Sequence, residues 1–245
     1  MKEAEVLKLD QFDGMKLVLA QGFTECRGWG PNQSSVARLA YFLGRHTGID
    51  FDYWEVSGDA YVDRMRNTVA KRFLDSDREW LFFIDTDERF GIMDFLKVLL
   101  SPGDIVGAGY PCKNVWDFYG CILHTHDDGR PVVNEHGLLS AHIVPTGFMK
   151  IHRRVFEQVL PTVEIQRCAN PADAEKPIEL PDFFGRIGPL GEDGSFNIRC
   201  ERAGVPRWVQ PNVTIGHLGV KEWSGNYHDW LTQLPGGAND PGRAP

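Results

Sequence analysis

The chain has 245 residues, of which 42% are hydrophobic and 24% charged, and a formal net charge of −8 at pH 7. This composition is typical of a folded globular protein, and the length suits one large domain or two small ones. No window is apolar for long enough to span a bilayer. The acidic balance argues against nonspecific binding to nucleic acid, which needs a basic surface.

The N-terminus and the cysteines favour a reducing compartment. The first five residues, MKEAE, are charged and no apolar signal-type segment follows them, so secretion is not expected. The five cysteines are Cys26, Cys112, Cys121, Cys168 and Cys200. Their odd number, their scatter and the lack of a C-x-x-C pair fit the cytoplasm better than a disulfide framework, and argue against a structural zinc site.

Strands and helices alternate in the first 110 residues. Short apolar runs predict strands at 15–20, 51–56, 80–84 and 105–109. Apolar residues at helical spacing predict a helix capped by Ser34 or Ser35, a second at about 60–74 and a third at about 93–100. This alternation predicts a largely parallel sheet with helices on both faces, in which ligands bind at the carboxyl ends of the strands.

The second half of the chain is less regular. Antiparallel strands are predicted at 118–124, 131–133 and 138–144, with a turn at 127–129. Helices follow at 153–160 and 192–203, the latter stopped by Gly204, and a last strand lies at 213–217. The polar segment 166–181 is predicted to be a mobile loop, and the tail 235–245 to be disordered. We expect a single domain over 1–234.

The stretch EWLFFIDTD, residues 79–87, is the centre of the predicted site. Its apolar part predicts a strand buried on both faces, which runs directly into Asp85 and Asp87. At this spacing in an extended segment both carboxylates point the same way, and they repel each other unless a positive group lies between them. A divalent cation bound to a phosphate is such a group. The alternative is a solvated acidic turn.

Further features follow the same order as in a known family. They are a helix with Arg64, Arg66 and Asn67, the D-x-D strand, a small-residue strand ending at Tyr110-Pro111, the segment TGFM at 146–149, Gly191-Glu192-Asp193, and His217. Together they resemble the GT-A-fold glycosyltransferases, over about Leu17–Leu218. The resemblance implies an α/β, GT-A-like (Rossmann-like) fold, with a mostly parallel central sheet, helices on both faces and a smaller antiparallel β element. It also implies a nucleotide-binding half at about 15–110 and an acceptor half at about 111–234.

The family resemblance further implies a reaction and a metal. The donor would be a nucleotide-sugar, a UDP- or GDP-sugar, with Mn²⁺ or Mg²⁺ on its pyrophosphate, and the sugar would pass to an acceptor hydroxyl. The ion would stabilise the negative charge that develops on the leaving diphosphate. Its implied ligands are Asp85, Asp87 and His217, with Asp87 the more direct one of the D-x-D pair. For His217 the alternative is a partly buried structural histidine.

The second acidic pair, Glu192-Asp193, opens a predicted helix. In inverting members of the family a pair at this position supplies the catalytic base, which implies Asp193 as base and Glu192 as a hydrogen-bonding partner of a sugar. The alternative is a helix start whose acidic residues interact favourably with the helix dipole.

The resemblance also points to residues that would contact the donor. These are Arg64 and Asn67 on one helix face, Gln21, Gly22 and Phe23 in the loop predicted after the first strand, Lys113 near a phosphate, and Gly147 and Phe148 beneath the sugars. The alternatives are a solvated side chain for Arg64 and Lys113 and ordinary core packing for Phe148. Trp116, Trp223 and Trp230 could stack on a sugar or base, or simply pack.

Three other functions remain open on the sequence. A haloacid-dehalogenase-type phosphatase also has D-x-D after a buried strand, but near the N-terminus and followed by Thr or Val rather than Glu88-Arg89. A sugar-phosphate nucleotidyltransferase usually has a Gly-rich run ending in Arg and Lys, whereas Arg27 is the only basic residue of this first loop. The third is a noncatalytic nucleotide- or sugar-binding module, which would have the same fold without the catalytic activity. The acceptor could be a protein, a glycan, a lipid-linked saccharide or a modified nucleobase.

Overall fold

The computed structural model describes residues 12–23, 28–57, 59–113, 119–168 and 176–233. The strands are β1 (Lys16–Phe23), β2 (Asp50–Ser57), β3 (Trp80–Ile84), β4 (Glu88–Arg89), β5 (Ile105–Gly107), β6 (Ile122–Leu123), β7 (Leu139–Ile143), β8 (Phe148–His152), β9 (Ile165–Cys168), β10 (Ile178–Pro181), β11 (Trp208–Val209), β12 (Thr214–Leu218) and β13 (Glu222–Asn226). The helices are α1 (Gly30–His46), α2 (Val62–Asp75), α3 (Ile92–Leu100), α4 (Arg153–Val159), α5 (Glu192–Arg202) and α6 (Tyr227–Thr232). Within these ranges, none of the helices combines the length and hydrophobicity that a bilayer crossing requires.

Eight strands form the central sheet, in the order β2-β1-β3-β8-β5-β11-β7-β6. Among these described strands, β7 and β8 run in one direction and the other six in the opposite direction. A smaller antiparallel sheet has the order β13-β12-β4. The predicted fold class, an α/β domain with a mostly parallel central sheet and a smaller antiparallel element, is therefore confirmed. Strands from both predicted halves join the central sheet, and the domain limits stay a prediction.

The central strands are buried on both faces, as the apolar run before D-x-D predicts. Along β3, Leu81 and Phe83 belong to the core that packs against α2, α4 and α5. Their neighbours Phe82 and Ile84 belong to the core on the other face, against α1 and α3. Because side chains alternate along a strand, this division shows that helices cover both faces of the sheet.

Two boundaries in the first half differ from the prediction. β1 continues to Phe23, so Gln21, Gly22 and Phe23 lie in the strand and not in a loop after it. α1 begins at Gly30 rather than after Ser34 or Ser35. Pro31 stands in its first turn, where its fixed φ favours helix and its missing N–H is not needed. The apolar spacing alone did not reveal this earlier start.

The second half contains more regular structure than predicted. The segment 166–181, predicted to be a mobile loop, holds the antiparallel pair β9 and β10, whose connection at 169–175 lies outside the described residues. β13 and α6 were not predicted either. The stop of α5 is confirmed, since Gly204 has φ +73° just beyond its end. The predictions for the tail 235–245 and for Trp116 concern residues outside the described ranges.

Candidate active site

Buried amides and the sheet hold the D-x-D turn at the carboxyl end of β3. The Asn32 side chain donates from Nδ2 to the carbonyl oxygens of Asp85 and Glu88, both at 2.8 Å. The backbone N–H of Asp85 donates to the carbonyl of Gly147 at 2.8 Å. The turn is thus fixed from α1 on one side and from the β7–β8 connection on the other, which orients the acidic side chains.

Arg66, in the middle of α2, joins the two acidic pairs. Its side chain is 2% exposed, and its Nη2 atom lies 3.1 Å from Oδ1 and 3.2 Å from Oδ2 of Asp85. The same atom lies 3.8 Å from Oε1 of Glu192 and 3.8 Å from Oδ1 of Asp193. Burial disfavours the charged guanidinium, but these carboxylates outweigh it and raise the pKa of Arg66 above its usual range. Asp85, predicted to bind a metal, and Asp193, predicted to be the base, therefore both lie beside the guanidinium of Arg66.

Asp87 faces His217 and Lys113. β4 and β12 pair with Glu88 opposite His217, and this register sets the His217 Nε2 atom 3.7 Å from Oδ2 of Asp87. The Lys113 ammonium also contacts Oδ2 of Asp87. Burial opposes the ionisation of Asp87, but His217 and Lys113 stabilise its carboxylate more and lower its pKa to about 2.

The donor atoms fit a divalent metal in part. The His217 Nδ1 atom lies 2.9 Å from the carbonyl oxygen of Pro111. A carbonyl oxygen can only accept, so Nδ1 carries a proton. Nε2 is therefore the nitrogen that donates to Asp87 or, without its proton, binds a metal ion. Oxygen and imidazole nitrogen suit Mn²⁺. Asp85 is engaged by Arg66 instead, and burial, the leading influence on this carboxyl, raises its pKa despite that guanidinium.

Glu88 is a member of the site that the sequence did not reveal. Both of its carboxyl oxygens are buried and have no hydrogen-bond partner among the described residues. Burial first, and then the charges of Asp85 and Asp87, raise the pKa of Glu88 well above its ordinary value. A Cβ atom added at Gly147 would lie 2.5 Å from Oε1 of Glu88 and 2.5 Å from the hydroxyl of Tyr110. Only glycine fits at position 147 of this arrangement.

The second acidic pair lies at the first turn of α5, after the N-cap residue Gly191. Burial and the neighbouring Asp193 raise the pKa of Glu192, with Arg66 acting in the opposite direction. The Oδ1 atom of Asp193 is buried without a hydrogen-bond partner among the described residues. A cavity of about 580 Å³ adjoins Glu192. It is lined by Ala60, Tyr61, Val62, Asp63, Arg186, Gly191 and Glu192. A volume of this size suits a sugar or nucleotide fragment.

Arg64 and Asn67, the residues of α2 predicted to contact the donor, have partners within the protein, and their contact with a donor stays a prediction. Arg64 is bound to Asp59, with Nε 2.6 Å from Oδ2, on the exposed side of the helix. The Asn67 side chain donates to Asp182 at 2.9 Å and accepts from the backbone N–H of Phe184 at 2.9 Å, so it ties α2 to the segment after β10. Arg66 between them faces the acidic groups. The sequence does indicate that Arg66 is buried, because position 66 shares a helix face with the apolar positions 62, 69 and 73.

The residues predicted to contact base and ribose lie in the strand, where Gln21 and Phe23 are buried and Gly22 is partly buried. Gln21 is 0% exposed and donates from Nε2 to Oδ1 of Asn32 at 3.1 Å and to the carbonyl of Ile84 at 3.2 Å. It therefore supports the turn that carries D-x-D. A Cβ at Gly22 would lie 1.9 Å from Cε of Met65, so the missing side chain makes room for packing. Contact of Gln21, Gly22 and Phe23 with a nucleotide stays a prediction that this burial does not favour.

The aromatic candidates in the described ranges pack against other side chains. Phe148 is fully buried in the core beside Phe82. Trp230 stacks on Tyr227 with ring centroids 5.6 Å apart, and Trp223 is 9% exposed. Stacking of these rings on a sugar or base stays a prediction.

Comparison with known proteins finds similar structures but no similar sequences. No protein-family model matches the chain, and no curated protein sequence matches it. Among solved structures, the chain is similar to A197 from STIV, with a TM-score of 0.51 and 20% identity, over 84% of this chain and 86% of that chain. At this identity the similarity concerns the fold.

Two similar structures are glycosyltransferases. GalNAc-T7, crystallised with UDP, GalNAc and Mn²⁺, has a TM-score of 0.49 and 10% identity, over 84% of this chain and 43% of that chain. A mutant Drosophila β1,4-galactosyltransferase 7, in complex with manganese, UDP-Gal and xylobiose, has a TM-score of 0.44 and 15% identity, over 91% of this chain and 74% of that chain.

Proposed function

We propose that the chain is a metal-dependent glycosyltransferase, which moves a sugar from a nucleotide-sugar donor to an acceptor hydroxyl with inversion at the anomeric carbon. The observation that carries this proposal is the convergence of two acidic pairs. Asp87 faces His217 at the rim of the sheet, while Asp85, Glu192 and Asp193 share the guanidinium of Arg66. One acidic pair suits a metal-bound diphosphate and the other suits a proton acceptor, as the family resemblance implies.

The reaction assigns a separate task to each group. Asp87 and His217 would hold Mn²⁺ or Mg²⁺, which when bound would stabilise the charge of the leaving diphosphate. Asp193 accepts the proton of the acceptor hydroxyl as its oxygen attacks the anomeric carbon from the face opposite the diphosphate. The new carbon–oxygen bond forms while the bond to phosphate breaks, and the nucleoside diphosphate leaves with the electron pair. The ammonium of Lys113, which contacts Asp87, is within reach of phosphate oxygens at the same position.

Arg66 would act by positioning and not by contact with the donor. Its buried guanidinium allows three carboxylates to stay close together. The raised pKa of Glu88 favours its protonated form, which can donate a hydrogen bond where an ionised carboxylate could only accept one. The proposed donor is a UDP- or GDP-sugar. The proposed location of the protein is the cytoplasm.

A noncatalytic nucleotide- or sugar-binding module is the second candidate. The contact between Lys113 and Asp87 favours it, because an ammonium already balances this carboxylate without a metal ion. The two candidates differ in turnover and in the effect of a chelator, and not in the ability to bind a nucleotide.

The test begins with thermal shifts of the full chain with UDP or GDP, with and without Mn²⁺, because a ligand that binds the native state raises its apparent stability. Slow hydrolysis of UDP- and GDP-sugars is then measured with and without EDTA. We expect a Mn²⁺-dependent shift and hydrolysis that Asp87→Ala removes. The control Asp128→Ala removes an exposed carboxylate that also has a basic partner, Arg130, and should change neither. Nucleotide binding without hydrolysis or transfer to any acceptor would favour the binding module.

A further inference from the structure

A second group of potential metal ligands lies outside the candidate active site. One ligand atom from each of His124, His142 and Glu201 lies within 4.8 Å of the other two. His124 directly follows β6, His142 belongs to β7, and Glu201 lies in the last turn of α5. The backbone N–H of His124 donates to the carbonyl of Ser140 at 2.9 Å, so the sheet itself brings the two histidines to neighbouring positions.

The two imidazoles are unusually close. Their ring centroids are 3.7 Å apart, with an angle of 50° between the ring planes. If both rings carried a proton on each nitrogen, two positive charges would meet at this distance, which is unfavourable. A metal ion shared by two neutral imidazoles removes that repulsion and uses the same proximity.

Further contacts orient each ligand. The His124 Nδ1 atom lies 2.9 Å from the hydroxyl oxygen of Ser140, which leaves its Nε2 atom available. The His142 Nδ1 atom lies 3.5 Å from Oε1 of Glu201. The other carboxylate oxygen of Glu201, Oε2, lies 3.4 Å from Nη2 of the buried Arg207. Ser140 and Arg207 are not ligands themselves, but they hydrogen-bond or pair with a ligand and so orient it. Metal-binding histidines and carboxylates commonly have such partners.

We propose that His124, His142 and Glu201 form a binding site for a divalent transition metal ion of the zinc class, separate from the D-x-D site. Two imidazoles and one carboxylate form a ligand set that zinc uses in proteins, with water in the fourth position. Ligand atoms on tetrahedral zinc are about 3.3 Å apart, so closure around an ion requires side-chain movements of up to about 1.5 Å. The side chains of His142 and Glu201 are 45% and 39% exposed, so the surrounding core does not block such movements. The scattered cysteines count only against a zinc site built from thiolates, and a site made of imidazoles and a carboxylate needs none of them.

The bound metal would connect β7 with the end of α5. The same helix begins with Glu192 and Asp193, so the ion would fix the far end of the element that carries the proposed base. This role does not depend on the proposed transfer reaction, and the site can be tested without any sugar donor.

The experiment is a titration of the EDTA-treated full-length chain with Co²⁺, followed by visible absorption and by isothermal titration with Zn²⁺. In the Asp87→Ala variant, which weakens the D-x-D site, we expect one equivalent of metal and the absorption bands of a four-coordinate Co²⁺ ion. In the Asp87→Ala/His142→Ala and Asp87→Ala/Glu201→Gln variants, binding should be at least about tenfold weaker. Thermal denaturation without metal shows whether these variants fold.

The matched control is His136→Ala, made in the same Asp87→Ala background. His136 is also partly exposed and also lies beside a glutamate, with Nε2 3.4 Å from Oε1 of Glu135. This variant should bind Co²⁺ like its parent. Equal binding by the His142→Ala and parent proteins would overturn the proposal. So would loss of binding in the His136→Ala control, or no uptake by the parent even at millimolar metal.

Discussion

The Nη2 atom of Arg66 donates to both carboxylate oxygens of Asp85, at 3.1 and 3.2 Å, from a side chain that is almost fully buried. A buried guanidinium needs compensating negative charge, and a strand-end carboxylate in an acidic cluster needs a cation. The pair meets both needs. It also explains how the acidic turn after β3 can lie close to the acidic start of α5.

Replacing Arg66 tests this compensation. Arg66→Met leaves the surrounding carboxylates without their cation, and breaking a buried pair in this way costs about 3 kcal/mol or more of unfolding free energy. Arg66→Lys keeps the charge but lacks the planar fork, so we expect a smaller loss of stability and a decrease of about tenfold or more in donor turnover. Urea denaturation and initial rates check both. Arg64→Met, on the exposed side of α2, should leave both nearly unchanged, and an equal effect there would contradict the role of Arg66.

Glu88→Gln should stabilise the ligand-free protein in a pH-dependent way. Because the pKa of Glu88 is raised in the folded state, the unfolded chain ionises first as the pH rises above about 4.5, and stability is lost over that range. The variant lacks this loss. Its advantage should be near zero below about pH 4 and grow toward pH 8, by about 1.4 kcal/mol for each unit of pKa shift. Urea midpoints at several pH values measure it, with Glu135→Gln at an exposed position as control. An advantage that does not change with pH would contradict the prediction.

Asp87 should show the opposite dependence on pH. Its pKa is lowered to about 2, so its contribution to stability is complete above about pH 4 and is lost as the pH falls toward 2. Without metal, Asp87→Asn should therefore be less stable than the unmodified protein by about 2 kcal/mol at neutral pH. The difference should close at the acid end of a denaturation series in EDTA. If the gap is the same at pH 6 and at about pH 2, the carboxylate is not stabilised by Lys113 and His217 as described.

The proposed base makes a kinetic prediction. Asp193→Asn should lower turnover by about 10²–10⁴-fold, as expected for removal of a general base, while Glu192→Gln should have the smaller effect. In the unmodified protein the rate should fall toward acid pH, because a general base acts only in its deprotonated form. If Glu192 is the base instead, the order of the two variants reverses, and its raised pKa moves the fall above the ordinary carboxyl range. A pH–rate profile that stays flat into the acid range would contradict both assignments.

The sequence was sufficient for the fold class and for the central strand β3, because burial leaves a clear apolar pattern there. The apolar residues of β3 alternate between two cores, as an uninterrupted apolar strand must in a sheet covered on both faces. Asp85 and Asp87 follow at the strand end, where they were predicted. The hairpin of β9 and β10 was missed because its residues are mostly exposed and carry little hydrophobic signal.

Long-range contacts explain what the sequence did not reveal in the site. Arg64 and not Arg66 was predicted as a site residue, because a charged residue on a helix is usually solvated. The position of Arg66 on the apolar face of α2 nevertheless indicates a buried side chain. The role of Gln21 depends on Asn32 and on the backbone of β3, which are distant in sequence. The burial of Glu88 depends on the pairing of β4 with β12, and no local pattern indicates that pairing.

The most direct test is anomalous diffraction from a crystal of the full chain soaked with Mn²⁺ and UDP or GDP. We predict a manganese peak within coordination distance of the Asp87 carboxylate and His217 Nε2, with the diphosphate on the ion and Lys113 moved from Asp87 toward a phosphate oxygen. A bound nucleotide with Lys113 still on Asp87 and no manganese at that position would contradict the assignment of this rim as a metal-dependent donor site.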